Sequence, residues 1–536
     1  MFSLVVSHTY HCVLPTILLQ QKRMMLTCCN RNIVGCLSTT SSNKNTCQQR
    51  VLLATRPLRQ HRRTMLVVKA ESSKESEGIK GKMEALVTPF RDPEANKKML
   101  ALATAQMLCS VATLIHDTYL PVYMSDVLHM SNSKIGNLQA IAQFLSKASG
   151  SVSGVFADIL SPARMVIFGT LLTTINKPMF AASGVVYSTF GAVACLYWIT
   201  FGKIFDRMSK GIREAPSKAL IGELASQSGE SAAAAFSLRQ SMATFGALFG
   251  AAVAATAYKL SGQNYVMTFA MAAVPAVVAL SLVVFAFGSV SHASDDTEEK
   301  ETPVEGSKKD DEVQLTFIQK ARAVLGAFQP AYWQALVIVG ILYFARFDAS
   351  FVTLRAKTVM DKASLPVLTS IMMLTQAVLA TPMGLKAKES VRSRNTVIVL
   401  GIAVLIGANA SFAFIPSFTG MALGALLIGI HMAMTHGVTI GMLSSYIPQT
   451  TIPGLGKITG TAWSFTDMLL GIILAYSNSL AGFLADKTAQ QGMGNIGCFF
   501  GGATACVLSI LAVIVFSTFG SIGREDLINQ PQKKTA

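Results

Sequence analysis

The stretch DRMSKGIREAPSKAL, Asp206 to Leu220, is a charged island between apolar segments. Six of its fifteen residues are charged, whereas the whole chain of 536 residues is 14% charged and 51% hydrophobic. On an ideal helix these charges and Lys203 fall within one arc of about 140°, and apolar residues fill the remainder. The pattern therefore predicts an amphipathic helix rather than a loop.

The segments around this stretch predict a membrane protein. Apolar runs of about 20 residues recur along the chain, and this length crosses a hydrocarbon core about 30 Å thick. The runs are continuous rather than alternating, so the spans are helical. We predict an all-α membrane fold with twelve transmembrane helices in two pseudo-symmetric six-helix bundles. The predicted spans cover residues 100–124, 134–157, 165–186, 190–220, 232–258, 264–289, 331–356, 364–386, 395–415, 420–446, 459–484 and 495–518.

The amino terminus differs from the rest of the chain. Residues 1–70 contain ten Lys or Arg and no Asp or Glu, so they supply much of the net charge of +16. A basic, hydroxyl-rich and acid-free leader is typical of an organellar targeting presequence. No Arg-rich amphipathic helix opens the chain, which favours a plastid membrane, such as the envelope, over the mitochondrial inner membrane. A disordered cytosolic tail and a secretory signal are the alternatives.

The remaining boundaries follow from composition. Residues 290–328 include SDDTEEKETPVEGSKKDDE and have no hydrophobic period, so they predict a charged, solvated linker. Short-loop Lys and Arg residues place both termini and this linker on the cytosol-equivalent side of the membrane. The other predicted regions are a linker over 71–95, bundles over 96–289 and 329–518, and a polar tail over 519–536.

The two halves of the chain contain a faint duplication. Residues near Gly154 and Gly384 lie in similar segments, SGVFADILSPAR and TPMGLKAKESVR, at an offset of 230. Such a repeat is expected of a two-bundle transporter. Adding 230 to His116 reaches Arg346, and adding 228 to Lys203 reaches His431. These polar residues should therefore converge near the pseudo-twofold axis.

A resemblance to the major facilitator superfamily covers about residues 95–520. GVFADILSPAR resembles the loop between the second and third helices that typifies the superfamily, with matches at Gly154, Asp158 and Arg164. It departs at residues 161–163, SPA, where the pattern has a glycine followed by basic residues. The resemblance implies that Gly154, Asp158 and Arg164 contribute to a gate on the cytosol-equivalent side.

Four further segments resemble one group of these transporters, which is known mostly from bacteria and has a DRxGKGIRxAP-type fourth helix. They are FDRMSKGIREAPSKALI in span 4, FSLRQSMATFGALFG in span 5, FARFDASFVTLRA in span 7 and GIHMAMTHG in span 10. The chain departs from the group at Ser209, Ser217-Lys218, Ala243 and Asp348-Ala349. These departures do not change the predicted fold. They leave the identities of the solute and of the coupling ion undetermined.

Two placements of the charged helix compete. It either lies on the membrane surface with its basic face toward anionic headgroups, or it forms the inner part of span 4 and lines a water-filled cavity. The resemblance favours the cavity. The candidate solute-binding residues are then Lys203, Asp206, Arg207, Lys210, Arg213, Glu214, Arg239, Arg346, Asp348 and Arg355. The candidate ion-coupling residues are His116, Asp117, His431 and Asp467.

The charge balance of this set predicts the class of solute. Basic groups outnumber acids, which suits a carboxylate or a phosphate ester. A structural network of salt bridges would have a similar composition. The histidines suit proton transfer because they titrate near neutral pH, although a neutral histidine that bonds between helices is an equal alternative.

We therefore expect a secondary active transporter that moves a small anionic organic solute by alternating access, with protons as the candidate coupling ion. A receptor or scaffold on a transporter fold, and an efflux pump for drugs or cations, are the alternatives. The sequence contains no enzyme signature. The four cysteines outside the leader are isolated. We expect no cofactor, no metal site, no nucleic-acid partner, contact with membrane lipid, and a monomer.

Overall fold

The structure is a computed structural model, and it describes residues 89–90, 92–228, 233–288, 325–326, 328–447, 451–452, 456–457 and 459–522. The side chains of residues 155, 158–159, 233–234 and 451–461 are not among those described. The predicted presequence, most of both predicted linkers and most of the predicted tail also lie outside the described residues.

The first bundle contains six membrane spans. They are span 1, Pro93–Asp117 followed by Leu120–Asp126; span 2, Asn132–Leu160; spans 3 and 4, both within Pro162–Gln227; span 5, Ala233–Leu260; and span 6, Tyr265–Met271 followed by Ala273–Phe287. Span 1 packs against spans 5 and 6, and span 2 packs against the long helix that contains spans 3 and 4.

The second bundle repeats this arrangement. It contains span 7, Pro330–Ala345 followed by Ser350–Ala356; span 8, the 3₁₀ turn Lys362–Ser364 and Leu365–Lys388; span 9, Val391–Phe414; span 10, Phe418–Tyr446; span 11, Thr459–Gln490; and span 12, Gly497–Thr518. Two short antiparallel strands, β1 (Thr451–Ile452) and β2 (Gly456–Lys457), lie between spans 10 and 11.

The predicted fold of twelve helices is confirmed. Within the described residues, ten helices are long and apolar enough to cross a membrane, and one of them, Pro162–Gln227, is 66 residues long. This helix has one non-helical residue, Gly191, with φ 84° and ψ 178°, which separates spans 3 and 4. Span 2 completes the twelve. It contains several polar residues, such as Gln139, Gln143 and Lys147.

Span 7 covers Pro330–Ala356, close to the predicted 331–356, but it is interrupted, which the sequence did not predict. The helix ends at Ala345, Arg346 has the non-helical angles φ −100° and ψ 71°, and a second helix begins at Ser350. Asp348 favours this break because its Oδ1 accepts hydrogen bonds from the backbone N and the hydroxyl of Ser350, at 2.9 and 2.5 Å. Broken helices at membrane depth are typical of transporter binding sites.

Span 1 is interrupted at the equivalent place. Its main helix ends at Asp117 and a short helix begins at Leu120. Pro121 lacks the backbone N–H that would otherwise bond to the carbonyl of Asp117. Spans 1 and 7 are partners under the internal duplication, so both halves break their first helix beside a charged residue.

The two bundles meet through equivalent pairs of spans. Span 2 packs against span 11, and span 5 packs against span 8. We call the membrane face where span 6 ends and span 7 begins the linker side, and the opposite face the far side. On the far side, Asp126 of span 1 accepts hydrogen bonds from Lys357 at 2.5 Å and Lys362 at 2.7 Å. Asp486 of span 11 likewise accepts hydrogen bonds from the backbone N–H groups of Asn132 and Ser133 at the start of span 2. These contacts join the bundles at the far side.

Candidate functional site

The charged face of span 4 points into the first bundle. Asp117 of span 1 accepts hydrogen bonds from Lys203 at 2.6 Å and from Arg207 at 3.0 Å. Lys203, Asp206 and Arg213 are buried. The stretch that begins at Asp206 is thus part of a membrane span and does not lie on the membrane surface.

A second ion pair lies one turn away. Lys177 of span 3 donates to Asp206 at 2.5 Å, and both side chains are buried. His116 lies between the two carboxylates, with its Nε2 3.2 Å from Asp117 Oδ1 and 3.7 Å from Asp206 Oδ2. Its Nδ1 lies 3.1 Å from the carbonyl of Ala112, and its ring stacks on Phe180.

The group of His116, Asp117 and Asp206 resembles a metal site in geometry. Its candidate ligand atoms lie within 4.8 Å of one another. However, Lys177, Lys203 and Arg207 already contact the two carboxylates. Three cations against two carboxylates leave no negative charge for a divalent ion, so the chemistry of the group suits a proton better than a metal.

Farther along span 4, Lys210 and Glu214 reach an open space. Lys210 is exposed although it lies near the middle of the span, about 25 Å from the helix end at Gln227 at 1.5 Å per residue. An exposed lysine at this depth must face water rather than lipid. Glu214 pairs with Lys218 at 3.4 Å and also interacts electrostatically with Lys210, Arg239 and Lys147. We infer that this opening is a polar cavity, because charged residues of spans 2, 4 and 5 converge there.

Arg213 and Arg239 lie at the edges of this cavity. Arg213 is buried, and its Nη1 donates to Thr173 at 3.2 Å. The Nη2 of Arg239 donates to Gln106 at 3.4 Å. Neither contact neutralises the charge of the guanidinium group.

The second bundle contributes Arg346 to the centre. The Nε of Arg346 donates to His431 Nε2 at 2.9 Å, its Nη2 donates to the hydroxyl of Thr435, and its guanidinium lies 5.5 Å from the ring centre of Tyr343. His431 Nδ1 in turn donates to the carbonyl of Gly401 at 2.8 Å. His431 is therefore a neutral acceptor that orients Arg346. Under the duplication, Arg346 is the counterpart of His116 and His431 is the counterpart of Lys203.

Arg346 has no acidic partner among the described residues. Asp348, two residues along the chain, instead accepts a hydrogen bond from the backbone N–H of Ser350 and interacts electrostatically with Arg207 across the bundle interface. The other predicted acid, Asp467 of span 11, pairs with Lys147 of span 2 at 2.8 Å. The centre thus carries an uncompensated arginine.

Arg355 lies away from this group. Its guanidinium donates to the carbonyls of Phe412 and Ala413 at 3.1 and 3.4 Å, where span 9 ends on the far side. The structure does not bring Arg355 together with the other predicted solute-binding residues.

The residues of the predicted gate lie where spans 2 and 3 meet. A Cβ built on Gly154 would lie 3.8 Å from Ala215, an ordinary contact between spans 2 and 4. The backbone N–H of Arg164 donates to the hydroxyl of Ser161 at 3.4 Å. The side chain of Asp158 lies outside the described residues. The gate therefore stays a prediction.

Lys147 and Lys177 belong to the central group but are absent from the predicted set of site residues. Each is a charged residue in a predicted membrane span, and that alone indicates a functional position. With them, the central group contains more basic residues than acids. The basic residues are Lys147, Lys177, Lys203, Arg207, Lys210, Arg213, Arg239 and Arg346, and the acids are Asp117, Asp206, Glu214, Asp348 and Asp467.

Two bundles joined face to face, with broken first helices and a charged centre, define a secondary transporter rather than an enzyme. The family model of the Major Facilitator Superfamily matches residues 102–466, so the chain belongs to this superfamily. No curated protein matches the sequence.

Solved structures share the fold. The D-xylose-proton symporter is 14% identical, with a TM-score of 0.58, and the match covers 79% of this chain and 98% of that one. The nucleoside transporter NupG, as its D323A mutant, is 14% identical with a TM-score of 0.57, and the match covers 78% of this chain and 99% of that one.

Proposed function

We propose that this transporter moves a small organic anion that carries a carboxylate or phosphate group. The observation that carries the proposal is Arg346, a guanidinium at membrane depth that is oriented by His431 and Thr435 and has no acidic partner among the described residues. A charge at this depth is costly unless it is paired or faces water. A solute carboxylate or phosphate would supply the missing partner through charge-assisted hydrogen bonds.

Two further arginines support an anion. The Nε atoms of Arg207 and Arg239 are buried and have no hydrogen-bond acceptor among the described residues. A buried donor without an acceptor costs about 1–3 kcal/mol. Oxygen atoms of a bound solute would satisfy both donors. An efflux pump for cations would instead need an acid-rich cavity, which the excess of basic residues disfavours.

The D-xylose-proton symporter and NupG, named for solutes without such an acid group, share only the fold at 14% identity. Their names carry no argument about this solute. Proton coupling is a separate part of the proposal and rests on the position of His116 between two carboxylates.

The proposed coupling runs through Asp117. A proton that binds at His116 and Asp117 weakens the ion pairs of the Asp117 carboxylate with Lys203 and Arg207. The released Arg207 then binds the anion together with Arg346. Release of the proton on the other side of the membrane restores the ion pair with Asp117 and expels the solute. Gly154, Asp158 and Arg164 would gate the linker side.

We further propose that the transporter acts as a monomer in a plastid membrane such as the envelope, with the mitochondrial inner membrane as the alternative. The support is the acid-free leader over residues 1–70. A fusion of this leader to a fluorescent protein tests the location.

The solute class is tested by thermal unfolding of the purified protein with a panel of organic acids, sugar phosphates, sugars and nucleosides. We expect an anion to stabilise the wild type, and R346Q to bind it at least tenfold more weakly because a charged hydrogen bond contributes about 1.5–3 kcal/mol. R355Q is the matched control, since Arg355 lies outside the central group. Equal binding by R346Q and the wild type, with both variants folded, would contradict the assignment.

A further inference from the structure

A groove on the second bundle opens at the linker side between spans 8, 9 and 10. Its volume is about 530 Å³, within the range of roughly 300–1,000 Å³ typical of small-molecule sites. The deep part of the groove is apolar, and its lining residues include Leu379, Met383, Leu400 and Ile430. None of the described residues that line the groove belongs to the charged central group.

The groove has the depth of one membrane leaflet. Its mouth is at Ser390, between the end of span 8 and the start of span 9. Leu400 lies nine residues into span 9, which corresponds to about 13 Å at 1.5 Å per residue. Half of a hydrocarbon core about 30 Å thick is about 15 Å. An acyl chain that enters from the mouth would therefore follow the groove through its own leaflet.

The mouth of the groove is cationic. Lys386 and Arg392 line it, both are exposed, and neither has an ion-pair partner among the described residues. The hydroxyls of Ser390 and Thr396 line the same region. Two unpaired cations above an apolar channel complement an amphiphile that has a negative headgroup.

The first bundle provides an internal comparison. A groove of about 410 Å³ lies between spans 2, 3 and 4, the counterparts of spans 8, 9 and 10. Val152, Phe156 and Phe168 are among its lining residues, and none of the described side chains that line it is charged. Both grooves can hold an acyl chain. Among the described lining residues, basic side chains that could select a lipid headgroup by charge occur in the groove of the second bundle and not in that of the first.

We propose that the groove between spans 8, 9 and 10 is a binding site for an anionic membrane lipid, with one acyl chain in the groove and the phosphate at Lys386 and Arg392. The acidic linker of this chain complements the charge of the cationic mouth, but its acidic stretch has no apolar segment to fill the deep part of the groove. It is therefore a weaker candidate for the occupant of the groove than a lipid. The site is separate from the proposed solute site, so either assignment can fail without the other.

The test uses the full chain in a neutral detergent. Phosphatidylglycerol and phosphatidylcholine with identical acyl chains are added, and binding is measured by native mass spectrometry and thermal unfolding. K386Q/R392Q should bind phosphatidylglycerol about thirtyfold more weakly, because each cation contributes about 1 kcal/mol and 1.4 kcal/mol is tenfold. Phosphatidylcholine binding should change little. L400W, which fills the groove without a change of charge, should weaken the binding of both lipids.

Matched controls separate the site from general effects. K259Q/K487Q removes two exposed charges on the far side, and V152W fills the uncharged groove of the first bundle. Both should bind phosphatidylglycerol like the wild type. The proposal is overturned if K386Q/R392Q also binds like the wild type, or if K259Q/K487Q loses as much affinity. It is also overturned if glycerol phosphate alone stabilises the wild type as much as the lipid does and K386Q/R392Q loses that stabilisation, since the groove would then bind free anions.

Discussion

His116 is the residue on which the proposed proton coupling depends. Its Nε2 faces Asp117 and Asp206, and its Nδ1 faces the carbonyl of Ala112. A proton on Nε2 would interact favourably with both carboxylates. A neutral ring with a bare Nε2 would instead place a lone pair against them. In the proposed mechanism, the occupancy of this proton would therefore couple to the ion pair between Asp117 and Arg207.

H116Q should separate proton coupling from solute binding. Glutamine cannot exchange a proton near neutral pH, so uptake driven by a pH gradient should fall at least tenfold. Solute exchange at equal pH should stay within a few-fold of the wild type. H129Q alters an exposed far-side histidine and should leave both rates unchanged. Uptake by H116Q that still follows the pH gradient would refute the role of His116.

The contacts of Arg346 were only partly predictable from the sequence. The duplication placed Arg346 and His431 together, and the structure places their nitrogens 2.9 Å apart. It did not reveal Thr435 or Tyr343 as further partners of Arg346. Those contacts depend on the break in span 7, which shifts the direction of the chain after Ala345 and cannot be derived from helical spacing alone.

At the scale of elements, Gly191 separates two spans without a loop. Its angles, φ 84° and ψ 178°, lie in a region that is essentially restricted to glycine. The sequence predicted spans 3 and 4 over residues 165–186 and 190–220, which leaves three residues between them. The structure shows the turn as one residue within a helix that otherwise continues to Gln227.

G191A should destabilise the protein by about 1–3 kcal/mol, because alanine adopts this conformation only with strain. G222A is the matched control: Gly222 lies in the same helix, and a Cβ there has no atom within 4 Å. The G222A variant should have the stability of the wild type or be more stable by up to about 1 kcal/mol. Unfolding temperatures in detergent measure both effects. If G191A were as stable as G222A, the turn would not depend on glycine.

At the scale of the whole molecule, the structure has its far side closed. Asp126 binds Lys357 and Lys362 of the other bundle, and Gln139 of span 2 donates to Ser350 of span 7 at 2.7 Å. Alternating access requires these contacts to break as the bundles rock. These contacts between the bundles could not be predicted from the sequence, because residues that meet across the interface have no fixed separation along the chain.

D126N should therefore favour opening of the far side. The loss of two partly exposed ion pairs, at up to about 1 kcal/mol each, should raise access severalfold. A cysteine at Lys210 reports this access through an impermeant thiol reagent added from the far side. The native cysteines in the described residues are buried, so the background is low. K487Q, which removes an exposed far-side charge, should not change labelling. Unchanged labelling in D126N would show that Asp126 does not hold the far side closed.

The central claim is that the uncompensated arginine of the second bundle makes this superfamily member an anion transporter. The most direct measurement is counterflow in proteoliposomes, with sugar phosphates and organic acids compared with uncharged sugars and nucleosides. The account predicts exchange of at least one anion, no exchange of the uncharged solutes, and loss of the exchange in R346Q but not in R355Q. Exchange of an uncharged solute alone, or of no solute at all as expected for a scaffold, would contradict it.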